Sequence, residues 1–76
     1  MESTVTRWEN SVARRYYEAR LVCDLFGTYL VMRVWGGIGT ARGAVRFYPL
    51  TGPRAFADEV ERIDKRRAKR GYVIRP

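Results

Sequence analysis

The 76-residue sequence has no histidine and one cysteine, Cys23. Without histidine, the usual Cys/His zinc sites and all His-based acid–base or nucleophilic chemistry are excluded. A lone cysteine excludes an internal disulfide. In an alternating stretch it reads as a small core residue. Acidic residues are scarce, 8 against 15 Lys+Arg, which leaves a net charge of +7. Lysine is scarcer still: only Lys65 and Lys69 occur, so arginine supplies 13 of the 15 cations. Long apolar runs are missing. The longest, Tyr29 to Met32, is far too short to cross a membrane. Met1 to Thr4 carries no basic region and precedes no apolar segment, so no secretory signal is expected. The single cysteine and the missing signal point to a reducing, cytoplasmic setting.

What is present fits one small domain over residues 1–76, with a core over 14–73. Residues 1–13 read as an edge strand or a flexible N-terminus, with Thr4, Thr6 and Trp8 on one face. Residues 14–24 alternate. Tyr17, Ala19, Leu21 and Cys23 are expected to face inward, and Tyr16, Glu18, Arg20 and Asp24 outward. Asp24-Leu25-Phe26-Gly27 reads as the turn of an antiparallel hairpin. The next strand runs from Tyr29 into a glycine-rich segment. Alternation puts Tyr29, Val31, Arg33 and Trp35 on one face and Leu30, Met32 and Val34 on the other. The second set is purely apolar and is expected to point into the core.

Four of the seven glycines lie between Gly36 and Gly43. They predict a tight connection into a strand near Ala44–Tyr48, which Pro49 ends. Thr51 is placed to cap a helix and Pro53 to open it. From there to Arg70 the pattern is helical, with Phe56, Val60 and Ile63 forming the packing stripe. Asp58–Arg62 and Glu61–Lys65 are spaced as i,i+4 ion pairs. Gly71 stops the helix, and Tyr72-Val73-Ile74 forms a last strand or an anchor. Strands followed by one helix predict an α+β fold, a small twisted antiparallel sheet of about four to five strands with a C-terminal helix packed on it.

The segment from Gly37 to Gly43 has the look of a phosphate loop but lacks its details. The third glycine of a dinucleotide fingerprint is displaced by Arg42, no Gly-Lys-Ser/Thr follows, and the next element is a strand rather than a helix. A hairpin connection is expected, whose amides and Arg42 can still meet phosphate. No carboxylate pair stands out as an acid–base couple. The expectation is a non-enzymatic protein with no cofactor.

Tyr16-Tyr17, Leu21, Asp24, Tyr29, Arg33, Trp35-Gly36 and Ile38-Gly39-Thr40 resemble the WGR domain. That domain is named for a Trp-Gly-Arg motif and occurs in DNA-dependent poly(ADP-ribose) polymerases and in small bacterial proteins. The resemblance continues through Ala55-Phe56 to Arg70-Gly71-Tyr72. It implies a sheet of about five strands with one helix against it, and a role in contacting nucleic acid. In the polymerases the motif tryptophan packs on the sugar of a terminal nucleotide at a DNA break. Trp35 and Gly36 match the motif, whereas Gly37 stands where the family has arginine. No NAD-binding or ADP-ribosyl transfer is implied, because those residues belong to another domain.

Charge and resemblance together predict a module that contacts nucleic acid, DNA before RNA. Trp35 would pack on a sugar or base, and Arg33 and Arg42 would hold phosphates beside it. Arg46, Lys65, Arg66, Lys69 and Arg70 are further candidates for backbone contacts. The rival expectation is a protein-interaction module that docks a partner through the Trp35 face.

Overall fold

The structure is a computed structural model and describes residues 4–40 and 43–75. Five strands form one antiparallel sheet. They are β1 (Val5–Asn10), β2 (Arg15–Cys23), β3 (Tyr29–Gly37), β4 (Gly43–Pro49) and β5 (Val73–Arg75), and the helix α1 (Ala55–Ala68) lies between β4 and β5 in the chain. The spatial order is β4-β3-β2-β1-β5. The expected α+β architecture, one sheet with one helix packed on it, is what forms.

The N-terminal strand is more central than its position in the chain implies. β5 returns from the helix and pairs with β1, Trp8 opposite Ile74, so β1 is an inner strand and not an edge. Trp8 is fully buried. It packs edge-on against Tyr17 at 6.1 Å between ring centroids, and its indole N–H donates to Asp64 Oδ1 of α1 at 2.9 Å. Ala19, Val31, Phe56 and Ile63 complete the core, with Leu21, Trp35, Leu50, Val60 and Tyr72 packed around it. The helical stripe is therefore as expected from its spacing.

The face of β3 is reversed from expectation. Val31 is buried, on the same face as Arg33 and Trp35, while Leu30, Met32 and Val34 lie on the face without a helix. Cross-strand register decides this. Tyr17 pairs with Trp35, Ala19 with Arg33 and Leu21 with Val31, and residues directly opposite share a face. The inward set of β2 thus fixes the inward set of β3, although the other set is the more apolar. Cys23 departs as well: it ends β2 and is exposed rather than in the core.

Local turns follow the sequence closely. Asp24 Oδ1 accepts from the N–H groups of Phe26 and Thr28, each at 2.9 Å, and Gly27 adopts φ 80°. The helix begins later than expected. Arg54 precedes it and Thr51 makes no cap, because Pro53 and Arg54 still belong to a turn. At the other end Gly71 has φ 85°, with Tyr72 N–H donating to Arg67 O and Gly71 N–H to Ala68 O. This is a Schellman closure that needs a left-handed residue at Gly71. On the helix surface Glu61 pairs with Lys65 as expected, but Arg62 pairs with Glu59 rather than Asp58.

The helix-free face carries an ionic network over β1 and β2. Glu18 is nearly buried between Arg7, at 2.6 Å, and Arg20, at 2.7 Å. Arg7 also bonds Glu9 and covers the Tyr16 ring at 4.4 Å. Burial opposes ionisation of Glu18, but its hydrogen bonds from Arg20 and Arg7 prevail and hold its carboxyl below the usual 4.5. A depressed native pKa stabilises the fold above the unfolded value, and that contribution is lost as pH falls through the native one. Replacing Glu18 with Gln should cost about 1–2 kcal/mol at pH 7 in urea unfolding, with half-exposed arginines limiting the figure. The gap to wild type should close below the depressed native pKa. Trp8→Ala should cost about 3–5 kcal/mol by the same assay, enough to unfold most of a domain this small.

Candidate nucleic-acid interface

Three segments distant in sequence meet at one end of the sheet. Register places Asn10, Arg15, Gly37 and Gly43 together there. The turn from β1 to β2 is closed by Asn10 Oδ1, which accepts from Ala13 N–H, and Arg14 takes a left-handed φ of 54°. Arg14 O then accepts from Ile38 N–H at 2.9 Å, joining this turn to the loop after β3. Asn10 Nδ2 donates to Arg70 O at 2.9 Å, which brings the C-terminal end of α1 to the same place.

The end so assembled is basic. Arg14, Arg15, Lys69 and Arg70 are exposed and make no ion pair among the described residues. The carboxylates on the elements that lead here are already engaged: Glu9 by Arg7 and Arg75, and Asp64 by the Trp8 indole. The negative end of the helix dipole also favours cations at this terminus.

Trp35 sits beside this cluster. One face of its ring stacks on Tyr17 at 5.8 Å and 13°. Tyr17 in turn lies under the Arg67 guanidinium at 4.7 Å, which also covers Tyr72 at 5.4 Å. Arg67 is therefore held as a packing residue. A shallow cleft of about 270 Å³ opens next to Trp35, lined by Arg15, Gly36, Gly37, Thr40, Gly43 and Ala44. Its floor requires glycine at Gly43, where a Cβ would lie 2.8 Å from Trp35 O. Gly37 is different. Its φ is not in the left-handed region, and a Cβ there would press on the Thr40 side chain at 3.3 Å while meeting Arg14 O only at an ordinary 3.8 Å, so the backbone does not demand glycine at the position where the WGR motif has arginine.

The other sequence candidates are scattered. Arg33 lies mid-sheet on the helix-covered face, ion-paired with Glu59 and stacked over Tyr48 at 4.6 Å. That carboxylate already occupies the place a phosphate would take. Arg46 is exposed on β4 opposite Arg33, two residues away from the cleft. Lys65 is paired with Glu61 at 3.6 Å, and Arg66 is exposed on the helix. Arg42 lies outside the described residues. The structure thus groups Trp35, Lys69 and Arg70, and adds Arg14 and Arg15, which the sequence reading passed over. Their signal was available: Arg15 shares a face with Tyr17 by simple alternation.

Comparison with models of known protein families, with curated proteins and with solved structures finds no match. The interface therefore rests on its own geometry. Because both side chains of the Arg33–Glu59 pair are largely buried, at 17% exposure each, Arg33→Gln should act on stability. The expected loss is about 1–3 kcal/mol in urea unfolding, since Glu59 keeps only Arg62. A lost phosphate contact would instead flatten the salt dependence of DNA binding by about one unit.

Proposed function

We propose that this protein is a non-enzymatic module that binds nucleic acid, DNA before RNA, with little dependence on base sequence. The observation that carries the reading is the convergence of Arg14, Arg15, Lys69 and Arg70 on the end of the sheet that holds Trp35 and its cleft. Arginine forks and a lysine ammonium suit phosphate oxygens. The part of Trp35 not covered by Tyr17 offers a flat apolar surface for a sugar or a base. The resemblance to the WGR domain points the same way.

Binding that depends little on base sequence is the expectation for contacts made mainly to phosphate. The only helix among the described residues is laid on the sheet through Phe56 and Ile63, and its outer face mixes Asp58 and Glu61 with Arg62, Lys65 and Arg66, a charge pattern suited to no particular base edge. Contacts to phosphate position a protein without reading bases. With about four phosphates engaged, the logarithm of affinity should fall with the logarithm of salt at a slope near −4.

Fluorescence anisotropy with a blunt duplex at two salt concentrations tests this. Arg15→Glu combined with Arg70→Glu should weaken binding by about tenfold or more, since two phosphate contacts become repulsions. Gly37→Arg should tighten it several-fold, because it adds a cation at the lip of the cleft. A duplex that does not bind at low salt, or binds equally at high salt, defeats the proposal. Parallel titrations with circular duplex, single strands and RNA decide whether ends and sugar chemistry matter.

A further inference from the structure

The two edges of the sheet are unequally protected. β5 closes one edge with only three residues and ends in Arg75. β4 forms the other with seven residues, and no strand pairs with its outer side among the described residues. Leu50 N–H bonds Tyr29 O at 2.9 Å, which fixes the phase of the β3–β4 ladder. In an antiparallel ladder alternate residues turn both peptide groups to the same neighbour. The even-numbered residues of β4 therefore face β3. The N–H and C=O groups of Gly43, Val45 and Phe47 point away from the sheet, and Pro49 ends the series because it has no N–H.

Side chains along this edge also fall into two sets. Val45 and Phe47 are 52% and 56% exposed on the helix-free face. They continue an apolar surface from their β3 partners Val34 and Met32 and from Leu30, which lies opposite Pro49. Arg46 is on the opposite face, exposed and without an ion pair among the described residues, and its neighbour Arg33 is already neutralised by Glu59. An unpaired edge strand of this length with an apolar face is normally blunted or used.

We propose that β4 accepts an extended segment of a partner protein as a sixth strand, with apolar residues alternating with Asp or Glu over about five residues. Apolar side chains of that segment would lie opposite Val45 and Phe47 and extend the patch. The acid between them would lie opposite Arg46. Charge complementarity selects this occupant over a second copy of the chain. Two copies carry +7 each, and pairing centred on Arg46 would set Arg46 against Arg46. The site meets the Trp35 cleft only at Gly43 and Ala44 and uses none of Arg14, Arg15, Lys69 or Arg70, so it does not depend on nucleic-acid binding.

The probe is a labelled peptide in which three valines alternate with two glutamates, followed by fluorescence anisotropy with the full chain. Replacing the glutamates with lysine should weaken binding by about tenfold or more. Arg46→Glu should reverse that preference, a gain that an unfolded variant cannot give. N-methylation at the valines, whose N–H groups would face β4, should abolish binding, whereas N-methylation at the glutamates should not. Arg15→Glu with Arg70→Glu should leave peptide binding unchanged, so this site and the DNA site fail independently. Equal affinity for the two peptides, or indifference to N-methylation, overturns the proposal. So does a dimer in sedimentation that dissociates on Val45→Pro, which would give the edge to a second copy.

Discussion

The placement of Trp8 governs the rest of the molecule. Its ring fills the space between the sheet and the helix, and its N–H finds Asp64 across 56 residues of chain. A buried indole N–H left without an acceptor is costly, so the pair fixes both the face of the sheet that is covered and the rotation of α1 above it. Once that face is chosen, Tyr17 and Ala19 are inside, and register draws Val31 and Trp35 in with them. The same choice brings Glu59 onto Arg33 and leaves Leu30, Met32 and Val34 on the far side. The interface and the exposed patch both follow from one aromatic anchor.

Much of this was legible in the sequence, and the failures have a common cause. The inward residues Tyr17, Ala19 and Leu21 of β2, the stripe Phe56, Val60, Ile63 and the glycine turns at Gly27 and Gly71 are local signals, and each is realised, Cys23 at the strand end being the exception. The facing of β3 is not local. Read alone, Leu30, Met32 and Val34 are the better core face. Read through the hairpin, the Asp24–Thr28 turn sets Cys23 opposite Tyr29, so the Tyr29–Trp35 set must share the face of Tyr17. The engagement of Arg33 is equally non-local. Its neutralising carboxylate lies 26 residues away on the helix, where no pattern along the strand could reveal it. At the candidate interface, Trp35 could be named from the sequence. Arg15 is its neighbour through the same hairpin register, opposite Gly37, whereas Arg14 joins the site through the bond its carbonyl accepts from Ile38 N–H.

Net charge alone therefore says little about where a polyanion would bind. Arg7, Arg20, Arg33, Arg62 and Arg75 are engaged with carboxylates, and Arg67 is stacked between tyrosines. Their charge is largely compensated where it stands. Of the cations without an ion pair among the described residues, Arg14, Arg15, Lys69 and Arg70 sit at one end because three chain segments terminate there, while Arg46, Arg54 and Arg66 stand apart on β4 and at α1. A field set up by uncompensated charges at a cleft is more effective than the same net charge spread over a surface.

A chain of this length can cover only one face of a five-stranded sheet with its single helix. The opposite face must then be made tolerable in water, and the molecule treats its two halves differently. Over β1 and β2 the residues are Arg7, Glu9, Glu18 and Arg20, which satisfy one another while their aliphatic stems and Tyr16 pack together. Over β3 and β4 no such device exists: Val34 faces Val45 and Met32 faces Phe47. Charged pairing would have served equally well there if solubility were the only demand. An apolar half-face that runs out to an edge with open backbone groups is costly in water and useful only when something completes it. On this sheet that places the unfinished surface on β4, which shares only Gly43 and Ala44 with the cleft beside Trp35.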